Sequence, residues 1–204
     1  MIRKTLVVLA LFVMAAPLWA GEPMTDADKK MLLDHLEHTK LKFLESIDGL
    51  SAEQWTWKAA PERWSIAECS EHIIKSEGLI RGLISGAMGE VASDELLASG
   101  VRKDEMILTA VVDRSQKFQA PEPLLPSGMF ADAAAASAAF GPERASTVEL
   151  AGSGDLRMHV AEHPVLGQLD AYGWILFLSA HTERHTLQIL EVKEAEGFPA
   201  GHMH

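Results

Sequence analysis

The chain has 204 residues, enough for one globular domain with a sizeable core, and its 48% hydrophobic and 23% charged residues are typical of a folded protein. Lys and Arg total 18 against 29 Asp and Glu, giving a net charge of −11, so the basic surface that nucleic acids and anionic lipids require is missing. The single cysteine, Cys69, excludes an intramolecular disulfide and a zinc site built from several cysteines.

Residues 1–20 have the layout of a secretory signal peptide. Arg3 and Lys4 precede an apolar run that ends at Ala20. An uncleaved N-terminal anchor is the alternative, although the short run and Pro17 fit a membrane span poorly. Because cleavage removes two basic residues, the net charge of the mature chain falls from −11 to −13. The sequence therefore predicts an exported protein, periplasmic or secreted, with no stable membrane insertion after cleavage.

Residues 21–204 are predicted to form a single domain, with its core at about 26–195, and helical periodicity dominates this region. A first helix is predicted from about Asp26 to Ile47, where Asp48-Gly49 ends it. A loop with three tryptophans follows and is expected to close one end of the core.

The second helix has the clearest start signal in the sequence. Ser65 is a predicted N-cap, and Glu68 three residues later completes a capping box. The helix is expected to end at Gly86 and Gly89.

Two further long helices are predicted in the second half of the chain. After a weaker helical pattern at 93–117 and a proline-rich connector at 119–128, an alanine-rich helix runs to about Leu150, with a kink or restart at Gly141-Pro142. The last helix is expected from about Asp170 to Gly197. Four long helices joined partly by long connections predict an all-α four-helix bundle.

Four of the nine histidines are predicted to be surface or tail residues. Those on the flank of the first helix or in the C-terminal tail are His35, His38, His202 and His204. His159 and His163 are four residues apart, but Pro164 biases His163 away from helical geometry, so this pair is weak support for a ligand site.

His181 and His185 differ because they occupy the apolar stripe of the last helix. At 100° per residue, one row of that helix collects Ala171, Trp174, Leu178, His181, His185, Ile189 and Val192. A buried imidazole without partners costs about 1–3 kcal/mol, and a metal ion shared by histidines at i and i+4 removes that cost. Hydrogen bonds to carboxylates or backbone inside the bundle are the alternative. His72, on the flank of the second helix, is the third candidate ligand.

The last helix does not carry a zincin motif. Glu183 follows His181 by two residues rather than one, so the general base of that motif is absent. Glu183 is expected to project away from the row of histidines and to meet solvent.

Three segments together resemble the DinB-like (YfiT-like) superfamily of metal-dependent four-helix bundles. They are Trp64–His72, His163–Asp170 running into Trp174, and His181–Ile189. The likeness covers roughly residues 26–195 and is weakest across 90–130.

The resemblance implies a divalent metal ion held by His72, His181 and His185, with coordination positions left open. Zn²⁺ and Ni²⁺ are the expected ions, because they suit ligation by imidazoles alone. It implies a metal-dependent hydrolase or a thiol S-transferase-like enzyme acting on a small molecule, since some relatives transfer low-molecular-weight thiols. A non-enzymatic metal- or ligand-binding envelope module is the alternative, and a purely structural bundle or homodimer is a third reading. Cys69 is expected to be a small core residue rather than a thiolate, and Gln188 either orients a ligand or is an amide inside the bundle.

Overall fold

The protein is mainly helical, as the periodicity predicts. A computed structural model describes residues 22–200, so the predicted signal segment at 1–20 and the two C-terminal histidines lie outside the described residues. The α-helices are, in chain order, α1 (Asp26–Ile47), α2 (Ala52–Thr56), α3 (Ile66–Ala87), α4 (Asp94–Leu97), α5 (Asp104–Met106), α6 (Ala133–Ala151) and α7 (Ala171–Glu194). A π-helical turn covers Ile107–Val111, and 3-10 turns cover Glu122–Leu124 and Leu156–Met158.

Side-chain caps fix where the long helices begin. The predicted capping box at Ser65 and Glu68 is confirmed: Ser65 accepts from the Glu68 amide, and the Glu68 carboxylate accepts from the Ser65 amide at 2.8 Å. Thr25 and Asp28 form an equivalent box at the start of α1. Asp170 caps α7 by accepting from the Gly173 amide at 2.6 Å. Each cap satisfies backbone donors that a helix start otherwise leaves unpaired.

The four long helices form the predicted four-helix bundle. Helix α7 packs against α1 and α3, and α6 packs against the other sides of the same two helices. Helices α6 and α7 are thus diagonal neighbours, and each of them packs between α1 and α3. No helix within residues 22–200 combines the length and the apolar character needed to cross a membrane.

A buried polar layer divides the core into two apolar clusters. Phe43, Ile73 and Ile189 belong to one cluster, whereas Leu36 and Leu178 belong to the other. Between the clusters, the guanidinium of Arg144 pairs with the carboxylate of Glu77, and both side chains are fully buried. Arg144 also donates to Thr39 and Thr182, so this layer ties together α1, α3, α6 and α7.

The structure corrects one prediction in the second half of the chain. Of the predicted kink or restart at Gly141-Pro142, the restart is wrong: helix α6 continues through Pro142, because Phe140 and Arg144 on either side of it are anchored in the core. The weaker helical pattern predicted at 93–117 corresponds to the short helices α4 and α5 and the π-helical turn.

An antiparallel hairpin that periodicity did not predict precedes α7. Its strands are β1 (Val160–His163) and β2 (Gly167–Asp170). Gly167 has a φ of +70°, a conformation suited to glycine, and allows the tight reversal between the strands.

Candidate metal centre

Helix α3 presents His72 to α7 and to the connector above it. The side chain is 3% exposed, and its Nδ1 lies 2.9 Å from the carbonyl oxygen of Leu124. A carbonyl only accepts, so His72 Nδ1–H is the donor and His72 Nε2 carries a lone pair. A backbone contact from the connector thereby leaves this nitrogen free to ligate a metal.

Helix α7 presents His181 and His185 one turn apart, as the stripe predicts. His185 is 9% exposed, and its Nδ1 lies 2.9 Å from Oε1 of Gln188. His181 is partly buried, and its Nδ1 is a covered atom without a hydrogen-bond partner. Their neighbours in the predicted row, from Ala171 to Val192, are buried in the core.

The three imidazoles converge from two helices. Three ring nitrogens, one from each of His72, His181 and His185, all lie within 4.8 Å of one another. Nε2 of His72 and Nε2 of His181 are 3.1 Å apart. Two nitrogens bound tetrahedrally to one zinc ion at 2.0–2.1 Å would lie about 3.3 Å apart, so the observed spacing matches a shared ion.

The positions of the protons on His72 and His181 also favour a cation between their two Nε2 atoms. His72 Nε2 has a lone pair, so His181 Nε2 must either donate a proton to it or place a second lone pair against it. If His181 donates, its buried Nδ1 is an acceptor without a donor; if it does not, two lone pairs repel one another. A cation between the two Nε2 atoms removes that repulsion, so the donor set fits a divalent metal ion.

All three imidazoles are held in the neutral form that a metal ligand requires. Burial lowers the pKa of His72, with Lys75 adding to the effect against the Leu124 hydrogen bond. Burial and then His185 lower the pKa of His181 well below its usual value. Burial and then His72 lower the pKa of His185 to about 3. Neutral rings bind a cation without first releasing a proton.

Two aromatic rings form walls beside the histidines. Trp64 stacks on His185 with centroids 6.0 Å apart and lies 5.0 Å from the ring of His72. Phe177, one turn before His181, lies 5.8 Å from its ring. Apolar walls lower the local dielectric and strengthen charge interactions at the site.

The structure keeps the remaining candidate residues out of this group. His163 is the last residue of β1, where its Nδ1 accepts from the amides of Val165 and Leu166 in the hairpin turn at 3.1 and 3.0 Å. His159 Nδ1 lies 2.7 Å from the carbonyl oxygen of Glu90. Cys69 is buried in the core, and burial raises the pKa of its thiol, as expected of a structural cysteine.

The flank histidines of α1 lie where the sequence predicts. His38 is exposed, and His35 is half-buried with its Nδ1 at 2.7 Å from Oγ of Ser179. Glu183 contacts His35 and Lys42 away from the metal-ligand group, as predicted, but its side chain is only 19% exposed and meets solvent in part. Helix α1 covers that face of α7 and shields the carboxylate.

Sequence reasoning missed three contributors to the site. Trp64 was predicted to close one end of the core and was part of a segment of the resemblance, but not as a wall of the site; its position directly before the cap of α3 was the available signal. Phe177 lies four residues before His181 and was therefore detectable as a neighbour on the same face. The carbonyl of Leu124 had no signal, because every residue carries the same backbone acceptor.

Fold and site together define a helical-bundle protein with a three-histidine group of metal-binding type. The DinB superfamily model matches residues 35–189, and the chain belongs to this superfamily, as the motifs predicted. YuaE of Bacillus subtilis (strain 168), an uncharacterized protein, is 27% identical over 157 residues that cover 76% of this chain and 93% of YuaE.

A solved structure supports the bundle assignment. YfiT from Bacillus subtilis, described as a probable metal-dependent hydrolase with an unusual four-helix bundle topology, superimposes with a TM-score of 0.59. The match covers 87% of this chain and 93% of YfiT at 13% sequence identity. At that identity the likeness shows the fold.

Proposed function

We propose that this chain is an exported enzyme that binds one divalent metal ion through His72, His181 and His185 and hydrolyses a small molecule. The observation that carries the proposal is the convergence of the three imidazoles, with Nε2 of His72 and Nε2 of His181 at 3.1 Å. Three protein ligands leave coordination positions open, which distinguishes catalytic sites from closed structural ones.

The chain's own groups prepare the site for this role. Leu124 and Gln188 accept the Nδ1 protons of His72 and His185, so both rings direct a lone pair into the site. Trp64 covers the site on one side and limits the access of bulk water. When bound, a divalent ion supplies Lewis-acid chemistry that makes water, or a thiol, acidic enough to act as a nucleophile near neutral pH.

The description of YfiT as a probable metal-dependent hydrolase favours water as the nucleophile. Zn²⁺ and Ni²⁺ suit a site of three imidazoles. Export is supported by residues 1–20 alone, and with it a periplasmic or secreted location. This export segment argues against transfer of low-molecular-weight thiols, which are chiefly cytoplasmic.

A substrate panel of esters, amides and epoxides, each with and without an added thiol, tests the proposal. We expect metal-dependent turnover without thiol, abolished in His185→Ala and retained in His38→Ala, since His38 is an exposed histidine of α1. Turnover only with added thiol would assign a transferase instead. Tight metal binding without turnover on any substrate would favour the non-enzymatic binding module.

A further inference from the structure

A loop between the π-helical turn and the proline-rich connector is fastened beside the histidines by Arg184. This side chain, 8% exposed, donates to the carbonyl of Val111 at 3.0 Å and to the carbonyls of Asp113 and Gln116. Arg184 directly precedes His185 in α7. Loop 111–116 is therefore held at a fixed position relative to the candidate metal centre.

The loop places Arg114 against the last turns of α7. Its Nε and one terminal nitrogen donate to the two oxygens of Glu191 at 2.5 and 2.8 Å, a bidentate pair that fixes the plane of the guanidinium. The other terminal nitrogen lies 3.4 Å from Oε1 of Gln188. The same Oε1 is 2.9 Å from Nδ1 of His185.

These contacts determine which nitrogen of His185 carries the proton. A guanidinium has donors only, so the side-chain amide of Gln188 must turn its oxygen, not its NH₂ group, toward Arg114. The same oxygen faces His185, and an oxygen there accepts from Nδ1–H. The proton is then on Nδ1, and Nε2 keeps the lone pair that a metal requires.

We propose that Arg114 is a positioning residue that selects the metal-binding tautomer of His185 through Gln188; the inference rests on the proposed metal site. Without Arg114 the amide of Gln188 is free to rotate by half a turn and to present its NH₂ group to Nδ1. His185 then carries its proton on Nε2, where it blocks metal binding. Loss of Arg114 therefore lowers metal affinity although Arg114 is not itself a ligand.

Replacing Gln188 by glutamate offers a sharp test, because a carboxylate has two equivalent accepting oxygens and cannot be turned the wrong way. We expect Arg114→Ala to weaken Zn²⁺ binding by about 10-fold, the lower end for an outer-shell partner. In a Gln188→Glu background, the same Arg114→Ala change should weaken binding by less than about 3-fold. Zn²⁺ affinity is measured by competition with a chromophoric chelator.

Arg63→Ala is the matched control, since Arg63 lies 3.7 Å from Glu191 and is 44% exposed. Within residues 22–200, Arg63 makes no hydrogen bond to Gln188, so this change removes a neighbouring positive charge alone and should leave the Zn²⁺ affinity near the wild-type value. Equal losses from Arg114→Ala in both backgrounds, or equal losses from Arg63→Ala and Arg114→Ala, would overturn the proposal.

Nitrogen-15 NMR of the imidazoles in the metal-free protein separates this inference from the proposed function. We expect His185 of the wild type to be protonated at Nδ1 and His185 of Arg114→Ala to show a mixture or the Nε2–H form. An unchanged tautomer would refute the role of Arg114. If the tautomer of His185 changes in Arg114→Ala as expected but the protein binds no metal, the positioning role of Arg114 holds and the proposed metal site is rejected.

Discussion

Replacing His181 by leucine should stabilise the metal-free protein and weaken its response to metal. The covered Nδ1 of His181 has no partner, and an unpaired buried polar atom costs about 1–3 kcal/mol. Because His181 is only partly buried, the lower value applies, and leucine fills a similar volume without the polar atom. We expect His181→Leu to gain about 1 kcal/mol in chelator, or about 2–4 °C in Tm for a chain of this size.

Added zinc should make the wild type more stable than His181→Leu. At a free Zn²⁺ concentration about 100 times the Kd, the wild type gains about 2.7 kcal/mol, whereas a variant with two remaining ligands gains less. Urea unfolding followed by far-ultraviolet circular dichroism, in chelator and in zinc, measures both differences. His38→Leu on the exposed face of α1 is the control and should show no reversal. If His181→Leu were destabilised equally in both buffers, the ring would be a structural element and the reasoning would fail.

Two other predictions concern the polar layer and the hairpin. Glu77→Gln leaves the buried guanidinium of Arg144 without its counter-charge and should cost about 3–5 kcal/mol in urea unfolding. Glu143→Gln, at a partly exposed ion pair, should cost less than about 1 kcal/mol, and equal costs would contradict the burial argument. Burial, together with Lys103, lowers the pKa of His163 from 6.5 to about 4, so the folded state favours the neutral ring. His163 should therefore contribute about 3 kcal/mol to the loss of stability as the pH drops from 6.5 to 4, in addition to the loss from the other buried histidines. His163→Asn in chelator should make the fall less steep by about that amount, and parallel curves for both proteins would contradict it.

The helices were predictable because their signals are local. The capping box at Ser65 and the aspartate before α7 each lie within four residues of the helix start that they define. The histidine pair of α7 was visible for the same reason, since imidazoles at i and i+4 within an apolar row need only helical geometry. His72 was a candidate from its place on the flank of the second helix, but only the resemblance implied that it is a ligand, because its sequence position alone does not show that α3 faces α7.

Contacts between distant segments were not predictable in the same way. Glu77 and Arg144 are 67 positions apart, and neither has a neighbour in sequence that indicates a buried pair. The uninterrupted course of α6 depends on tertiary packing around Pro142. The relation of Arg114 to Gln188 spans 74 positions and depends on how the loop folds back onto α7.

Elemental analysis of untagged protein purified in chelator-free buffer tests the central claim most directly, which is that His72, His181 and His185 share one divalent ion. We expect about one transition-metal ion per chain in the wild type and in His38→Ala, and little in His72→Ala. Less than about a tenth of an equivalent in the wild type, with no Zn²⁺ or Ni²⁺ taken up on titration, would contradict the claim.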